Sequence, residues 1–262
     1  MNYGETKVVL CRDATNLGRR AAAAVARTMR RLLARQSEVR IVFAAAESQV
    51  PFLDALAEER SIDWKRVTCF NMDDFWEPRM PMSLTCGALT QKHLYNKARP
   101  AARHLIRSRA ADPEAEARRF EKLLREAPID ITCQGIGRSG HIALNEPGQT
   151  DFMDKRWVRV VRIVEASRRQ LMDDPHFRKL GRIPKKGITM TLPALLSARY
   201  IFTMVPLASK RPILTRLFRA KSVTPQLPAS ILRSVRGTLF VDRDSCPKNI
   251  LRQSKKHRAR SQ

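Results

Sequence analysis

The residues with the clearest capacity for chemistry lie in one glycine-rich loop, Gly135–Pro147, which reads Gly-Ile-Gly-Arg-Ser-Gly-His-Ile-Ala-Leu-Asn-Glu-Pro. Three of its first six residues are glycines, which let the backbone turn sharply and approach a ligand closely. His141 and Glu146 follow in the same loop, five residues apart. An imidazole with a carboxylate within reach in such a loop indicates a functional site more strongly than a structural histidine.

The segment before this loop, Ile129–Cys133, is apolar and rich in β-branched residues, which predicts a buried strand. Open α/β sheets bind their ligands at the loops that such strands deliver. A Gly-x-Gly-x-x-Gly pattern alone is weak evidence for a dinucleotide site, which also needs a helix directly after the loop. Asn145–Gly148 contains a proline and a glycine, and both oppose that helix. The sequence therefore predicts a ligand-binding loop without a nicotinamide cofactor.

Two further candidates follow other predicted strands. Asp73 and Asp74 come directly after Val67–Met72, and two carboxylates at a strand's end in so basic a chain suggest a site. The alternative that Asp73 only caps the next segment stays open. Ala45–Gln49 is a strand-to-helix turn whose backbone N–H groups and Ser48 hydroxyl could hold a phosphate.

Strands and helices alternate along the chain. The predicted strands are Lys7–Cys11, Val39–Ala44, Val67–Met72, Ile129–Cys133, Val158–Val164, Tyr200–Val205 and Gly237–Val241. Four helices are predicted over Val50–Glu59, Ser83–Asn96, Ala166–Met172 and Ser209–Arg219. Three more are predicted from their starts: one is capped by Thr15 or Asn16, one has Asp112 as its cap and Pro113 as its first residue, and a short one follows Lys186–Pro193. This alternation predicts an α/β fold with a mostly parallel, doubly wound (Rossmann-like) sheet and helices on both faces. We expect residues 1–250 to form a single domain and residues 251–262 a basic, flexible C-terminal tail.

Composition narrows the class of protein. The 262 residues are 43% hydrophobic, but no apolar run approaches the roughly 18 residues needed to cross a bilayer. The N-terminus lacks a charged segment followed by an apolar one, so we expect no signal peptide, no membrane association and a cytoplasmic location. The five cysteines have no metal-ligand spacing and are expected to be buried free thiols. The sequence therefore predicts no metal site.

The formal net charge of +25 suggests an anionic partner, which could be nucleic acid, a membrane surface or a phosphorylated metabolite. The basic residues are scattered over all the helices, and the one dense cluster lies between Arg252 and Arg260. The chain has no RNA-recognition signature, zinc finger or basic strip interleaved with aromatic residues. Without such a second signal, the sequence favours a solvated basic surface over a nucleic-acid site.

Three segments in order resemble the glucosamine-6-phosphate deaminase/isomerase family, relatives of the 6-phosphogluconolactonases. They are Phe70–Phe75, the Gly135–Pro147 loop and Val205–Lys210. The resemblance extends from about residue 7 to Ser245, and its most specific part is His-Ile-Ala-Leu-Asn-Glu-Pro. The Asn-Glu-Pro ending favours the deaminase branch over the lactonases.

The resemblance implies a reaction on an amino-sugar phosphate, with ring opening, proton transfer between C2 and C1, and release of ammonia. It implies that Asp73 is the base, that His141 is the ring-opening acid/base and that Glu146 orients its imidazole. Ser139 stands where the family has a catalytic aspartate. The resemblance assigns substrate and phosphate binding to Ser48, Gln49, Asp74, Gly135, Gly137, Gly140, Lys210 and Arg168, with Arg169 as the alternative to Arg168. It implies a small-molecule sugar phosphate as partner and no metal or organic cofactor, and it leaves a homo-oligomer open.

Two departures from the family pattern keep other hypotheses open. Ser139 cannot carry the negative charge of the family aspartate, and Ala46–Gln49 replaces the usual Gly-Gly-Thr-Pro or Gly-Gly-Ser-Pro turn. Glu47 in that turn would repel a phosphate if it faced the site. The first hypothesis is a glucosamine-6-phosphate deaminase/isomerase. The second is a shifted substrate, either another amino-sugar phosphate or a lactone hydrolysed with His141 as base, and the third is a non-catalytic sugar-phosphate-binding protein.

Overall fold

A computed structural model of the chain describes residues 1–172, 177–178 and 183–251. The described part contains eleven strands, which form a central sheet and a smaller second sheet. The strands are β1 (Asn2–Tyr3), β2 (Thr6–Cys11), β3 (Val39–Phe43), β4 (Val67–Asn71), β5 (Asp73–Trp76), β6 (Ala102–His104), β7 (Ile131–Gln134), β8 (Val158–Arg162), β9 (Lys186–Met190), β10 (Tyr200–Val205) and β11 (Thr238–Asp242). The expected tail lies outside the described residues, except for Leu251.

The central sheet has the strand order β1-β2-β11-β10-β7-β3-β4-β6. All its neighbouring strands are parallel except β1 and β2, which form an antiparallel pair. The carboxyl ends of β3, β4, β7 and β10 therefore meet at one edge, and these are the strands that precede the predicted site segments. This confirms the mostly parallel α/β sheet predicted from the sequence.

Helices cover both faces of this sheet. The α-helices are α1 (Ala14–Leu33), α2 (Val50–Ala57), α3 (Cys86–Thr90), α4 (Asn96–Ala98), α5 (Pro113–Arg125), α6 (Glu165–Met172), α7 (Leu192–Leu196) and α8 (Arg211–Arg219). Strand β3 shows how the faces divide, because Ile41 and Phe43 pack with α1 and α2 while Val42 belongs to the core formed with α5, α7 and α8. This alternation is the two-residue period of a strand buried on both sides.

The cap of α1 differs from the prediction. Asp13, rather than Thr15 or Asn16, is the N-cap, and its carboxylate accepts a hydrogen bond from the Asn16 N–H at 2.7 Å. The Asn16 side chain instead accepts from the Arg12 N–H. Aspartate and asparagine cap equally well, so composition alone could not choose between neighbouring candidates.

The second sheet was not predicted. It has the order β5-β9-β8, and both of its pairs are antiparallel. The segment Val158–Val164 does form a strand over Val158–Arg162, but in this small sheet rather than in the parallel one. Asp73 begins β5, so the chain passes from the central sheet into the second sheet within two residues of Asn71.

The helix predicted over Ser83–Asn96 is divided into short pieces. A 3₁₀ turn at Met82–Leu84 is followed by α3, a π-helical turn at Gln91–Tyr95 and α4. Buried side chains tie this segment to the end of β4: Asn71 Nδ2 donates to Thr90 Oγ1 at 2.9 Å, and the Tyr95 hydroxyl donates to Asn71 Oδ1 at 3.1 Å. The segment is therefore held beside the strand that delivers Asp73.

None of the helices in the described ranges has the length and apolar content that crossing a membrane requires.

Candidate active site

A cavity of about 710 Å³ lies at the carboxyl edge of the central sheet. Most of the predicted site residues line it, and they come from the segments after four different strands. The predicted residues that line the cavity are Ser48, Gln49, Asp73, Gly135, Gly137, His141 and Lys210. The packing of parallel strands thus brings together residues that lie up to 162 positions apart in the sequence, between Ser48 and Lys210.

His141 is held by a network of three side chains behind the cavity wall. Its Nδ1 lies 2.9 Å from Glu146 Oε1 and 2.8 Å from Ser139 Oγ. The Ser139 hydroxyl donates to Glu146 Oε2 at 2.7 Å, and the Ser167 hydroxyl donates to Glu146 Oε1. The Glu146 carboxylate is only 1% exposed, so these donors replace the water it has lost.

The network fixes the protonation pattern of the imidazole. Burial alone would raise the pKa of Glu146, but hydrogen bonds from His141, Ser167 and Ser139 and the charge of His141 together hold it below its ordinary value. An ionised carboxylate accepts hydrogen bonds only, so His141 Nδ1 carries a proton. His141 Nε2 is then the ring nitrogen that can exchange a proton with a ligand.

The glycines of the loop make room for the ring. The Gly137 N–H donates to the His141 carbonyl at 2.9 Å, and the Gly140 N–H donates to the Gly137 carbonyl at 3.0 Å, which folds the loop back on itself. A Cβ on Gly137 would overlap the His141 imidazole. Gly140 has φ of 95°, a conformation that side chains other than glycine rarely adopt. Gly137 and Gly140 therefore act through the backbone, and Gly137 lines the cavity beneath His141.

Asp73 and Asp74 have different surroundings. Asp74 is 1% exposed and its carboxylate accepts hydrogen bonds from the N–H groups of Phe75 at 2.8 Å, Cys86 at 3.0 Å and Gly87 at 3.0 Å. Burial raises the pKa of Asp74 to about 6, against the effect of these donors. Asp73 lines the cavity, and burial and the nearby charge of Asp74 raise its pKa to about 7. Asp73 is thus a carboxylate balanced between its two protonation states near neutral pH.

The cation Lys210 lies at the same edge and is 9% exposed. Its Nζ donates to the Ile136 carbonyl at 2.8 Å, which joins the segment after β10 to the glycine loop. Burial and the charge of Arg138 lower the pKa of Lys210 to about 8. The preceding turn is pinned by Asp242, whose Oδ2 accepts a hydrogen bond from the Leu207 N–H at 3.0 Å.

The turn after β3 contributes Ser48 and Gln49. Gln49 is 2% exposed, and its Nε2 donates to the Met204 carbonyl at 3.1 Å and to Ser48 Oγ at 3.3 Å. A Cβ on Gly135 would press on the Gln49 amide. Gln49 therefore links the ends of β3, β7 and β10 and positions Ser48. Direct contact of Gln49 with a phosphate stays a prediction.

Arg168 is one of five predicted residues that do not line the cavity, with Asp74, Ser139, Gly140 and Glu146. Its Nη1 donates to Glu165 Oε2 at 3.0 Å, and Arg169 pairs with the same carboxylate at 3.3 Å. The neighbouring residue Ser167 faces the cavity instead. One helical turn separates the acid from each arginine, and among the described residues the buried Nε of Arg168 has no hydrogen-bond partner.

Many of the residues that line the cavity were not predicted, among them the polar residues Lys92, His93, Arg138 and Ser167. Ser167 and Arg138 stand next to predicted residues, so their neighbours were a usable signal. Lys92 and His93 lie in a segment predicted as an ordinary helix, where no pattern distinguishes them from surface residues.

The geometry defines an α/β protein with an imidazole–carboxylate pair, a second carboxylate and a lysine in one cavity at the sheet edge. Comparison with known proteins agrees with it. The family described as Glucosamine-6-phosphate isomerases/6-phosphogluconolactonase matches residues 12–241, and the chain belongs to this family.

Similar proteins come from both branches of the family. A glucosamine-6-phosphate deaminase from Staphylococcus epidermidis is 29% identical over 201 residues, which cover 75% of this chain and 80% of the relative. One from an Exiguobacterium species is 30% identical over 186 residues, 70% of each chain. Two solved structures share the fold. A monomeric glucosamine-6-phosphate deaminase has a TM-score of 0.80 at 24% identity, covering 92% of this chain and 98% of that one. The 6-phosphogluconolactonase from Thermotoga maritima has a TM-score of 0.71 at 19% identity, covering 90% and 99%.

Proposed function

We propose that this protein is an amino-sugar phosphate deaminase/isomerase that converts glucosamine 6-phosphate and water to fructose 6-phosphate and ammonia. The observation that carries the proposal is the presence, in one cavity, of the Asp73 carboxylate with a pKa of about 7 and the His141 imidazole fixed by Glu146. A base and a proton shuttle are both needed for this reaction, and a protein that only binds sugar phosphates needs neither. The deaminase names of the relatives at 29% and 30% identity support the same reaction.

The first step is opening of the pyranose ring. His141 Nε2 takes the proton from the O1 hydroxyl and returns a proton to O5 as the C1–O5 bond breaks, which leaves the open-chain aldehyde. Glu146 stabilises the imidazolium that forms between these transfers, because its carboxylate lies 2.9 Å from Nδ1. Ser139 and Ser167 keep that carboxylate in place.

The second step moves a proton from C2 to C1. Asp73 removes the C2 proton while O1 takes up a proton from the solvent, which gives an enolamine, and Asp73 then returns its proton to C1, which gives an iminium at C2. Water adds to C2 and ammonia leaves, so that the ketone of fructose 6-phosphate forms. The raised pKa suits Asp73 to both halves of this transfer, since a group near its pKa gives and takes protons with similar ease.

The test is direct measurement of both products. Purified protein is supplied with glucosamine 6-phosphate, and ammonia and fructose 6-phosphate are quantified beside the variants Asp73→Asn and His141→Gln. We expect equal amounts of the two products from the wild type and a loss of at least a hundredfold in each variant. A wild-type protein that binds the sugar phosphate but releases no ammonia would overturn the proposal.

A lactonase activity is the second candidate, and the observation that favours it is the neutral Ser139 beside His141. Hydrolysis of 6-phosphogluconolactone needs His141 to activate a water molecule and has no use for a base over C2. The two activities therefore separate by variant, because Asp73→Asn would spare lactone hydrolysis and abolish deamination.

The location and assembly of the protein are part of the proposal. All five cysteines lie in the described residues and none is in a disulfide, which supports a reducing compartment such as the cytoplasm. We expect no nucleic-acid partner, and a gel-shift titration with unrelated DNA at physiological salt tests this. Size-exclusion chromatography with light scattering tests whether the chain forms a homo-oligomer.

A further inference from the structure

The cavity wall formed by α3 and the π-helical turn carries two polar residues that the proposed mechanism does not use. Lys92 and His93 are adjacent in the sequence, and both line the cavity that holds Asp73 and His141. Single π-helical turns recur at functional sites, because the wider turn redirects side chains relative to an α-helix. Here the turn spans Gln91–Tyr95 and contains both residues.

The carboxylate of Asp54 holds the imidazole ring of His93 in place. Its Nδ1 lies 3.1 Å from both carboxylate oxygens of Asp54 in α2. Lys97 Nζ donates to the same carboxylate at 2.7 Å from the outer side. Burial alone would raise the pKa of Asp54, but hydrogen bonds from Lys97 and His93 and their charges hold it below its ordinary value. Nδ1 of His93 is occupied by Asp54, so Nε2 is the ring nitrogen left for a ligand.

The position of Asp54 ties this pair to the phosphate end of the cavity. Helix α2 starts directly after Ser48 and Gln49, and Asp54 lies in it. The π-helical turn packs against that helix through the His93–Asp54 contact, and Lys92 and His93 line the same cavity as the turn expected to bind phosphate. Lys92 is exposed there and adds a positive charge.

We infer that Lys92 and His93 bind the phosphate group of the sugar phosphate and complete the subsite begun by Ser48 and Lys210. This inference rests on the proposed function for the identity of the sugar. A phosphate dianion is bound best by several cations and N–H donors at once. Glu47 adds a negative charge to the Ser48 turn, so cations besides Lys210 favour binding of the dianion. A phosphate at Nε2 and Asp54 at Nδ1 would both stabilise the protonated imidazole.

The test measures phosphate binding separately from turnover. Dissociation constants for inorganic phosphate and for glucosamine 6-phosphate are determined by calorimetry with the wild type, Lys92→Gln and His93→Gln. Lys97→Gln is the matched control, because it removes the same charge from a neighbouring residue that contacts Asp54 but is not in the cavity wall. Circular dichroism and melting temperature verify that each variant is folded.

We expect Lys92→Gln and His93→Gln each to raise the dissociation constants of both ligands by about tenfold, which is the effect of losing one charge-assisted hydrogen bond. Lys97→Gln should change either constant less than twofold, and KM should rise in the two cavity variants while kcat stays within about twofold. Unchanged phosphate affinity in Lys92→Gln and His93→Gln would overturn the inference, as would a loss confined to the sugar phosphate or a wild type that binds no phosphate. A wild type that binds both ligands but releases no ammonia would refute the deaminase proposal alone, and the variants would still decide the phosphate subsite.

Discussion

The imidazole of His141 lies directly against the Cα of Gly137, with no room for a methyl group between them. The ring cannot move away without breaking its contacts with Glu146 and Ser139. The glycine and the histidine, four residues apart, therefore form a single unit in which backbone geometry sets the position of the proton shuttle.

We expect Gly137→Ala to lower kcat by about a hundredfold or more while the protein stays folded, because the added Cβ displaces the imidazole from its productive position. The measurement is steady-state kinetics together with circular dichroism. Gly148→Ala is the control, since Gly148 has positive φ, at 78°, but a Cβ there would meet only Gln226 Oε1, at an ordinary contact distance. It should cost about 1 kcal/mol of stability and leave kcat unchanged. Equal kinetic effects of the two substitutions would contradict this account.

The pKa of about 7 for Asp73 predicts the acid limb of the pH profile. The carboxylate is the form that removes the C2 proton, so kcat/KM for glucosamine 6-phosphate should fall about tenfold per pH unit below pH 7. The profile is measured from pH 5 to pH 9. A kcat/KM that stays flat down to pH 5 would show that burial and Asp74 do not raise this pKa to about 7.

The same shift has a consequence for stability. Because the folded-state pKa of Asp73 is raised, folding holds the proton more tightly, and the stability present below about pH 4 is lost as pH rises through about 7. Asp73→Asn should therefore be more stable than the wild type at pH 8, by on the order of 1–2 kcal/mol, and show no such gain at pH 4. Denaturant unfolding at both pH values measures this difference.

Ser139→Asp, which introduces the family aspartate, is expected to disturb the site rather than improve it. Ser139 Oγ donates to Glu146 Oε2 at 2.7 Å, and a carboxylate in its place would put two acids in contact at a buried position. We predict a lower melting temperature at pH 8 than at pH 5 and no gain in kcat. Ser139→Ala is the matched variant, since it removes the hydrogen bond without adding charge. An active and equally stable Ser139→Asp enzyme would show that the loop adapts to either residue.

The pKa of Lys210 predicts how KM changes at alkaline pH. Its pKa of about 8 means that the free enzyme loses this charge as pH rises through 8, so KM for the sugar phosphate should rise above that pH while kcat changes less. Arg138→Gln removes the neighbouring positive charge that helps to lower this pKa, and should move the rise in KM to higher pH. A KM that is flat up to pH 9.5 in the wild type would argue against Lys210 as a phosphate ligand.

Regular alternation made most of the central fold predictable. Strand β10 occupies Tyr200–Val205, as the apolar run indicates, and Pro113 begins α5 behind its Asp112 cap, whose carboxylate accepts from the Glu114 N–H. The second sheet could not be predicted, because the β-branched residues of Val158–Val164 fit either a parallel or an antiparallel partner. Helix propensity also could not reveal the π-helical turn, whose last residue, Tyr95, donates a buried hydrogen bond to Asn71.

The candidate site, like the fold, could be predicted from the sequence only in part. Loop residues with a specific type and spacing, such as His141 and Glu146, were predictable and lie in contact. Arg168 contacts Glu165, and its role in phosphate binding stays a prediction. Ser167 was missed because a serine in a polar helix carries no distinguishing pattern, and only the fold shows that its hydroxyl reaches Glu146.

The two proton carriers start from different sheets. Asp73 is the first residue of β5 in the antiparallel sheet, whereas His141 follows β7 of the parallel sheet. Strand β9 nevertheless supports both, because it pairs with β5 and also bonds the loop of His141. The Thr189 hydroxyl accepts a hydrogen bond from the Leu144 N–H at 3.1 Å, and the Met190 carbonyl accepts one from Asn145 Nδ2 at 2.9 Å. A change in β9 would therefore displace the base and the ring-opening histidine together.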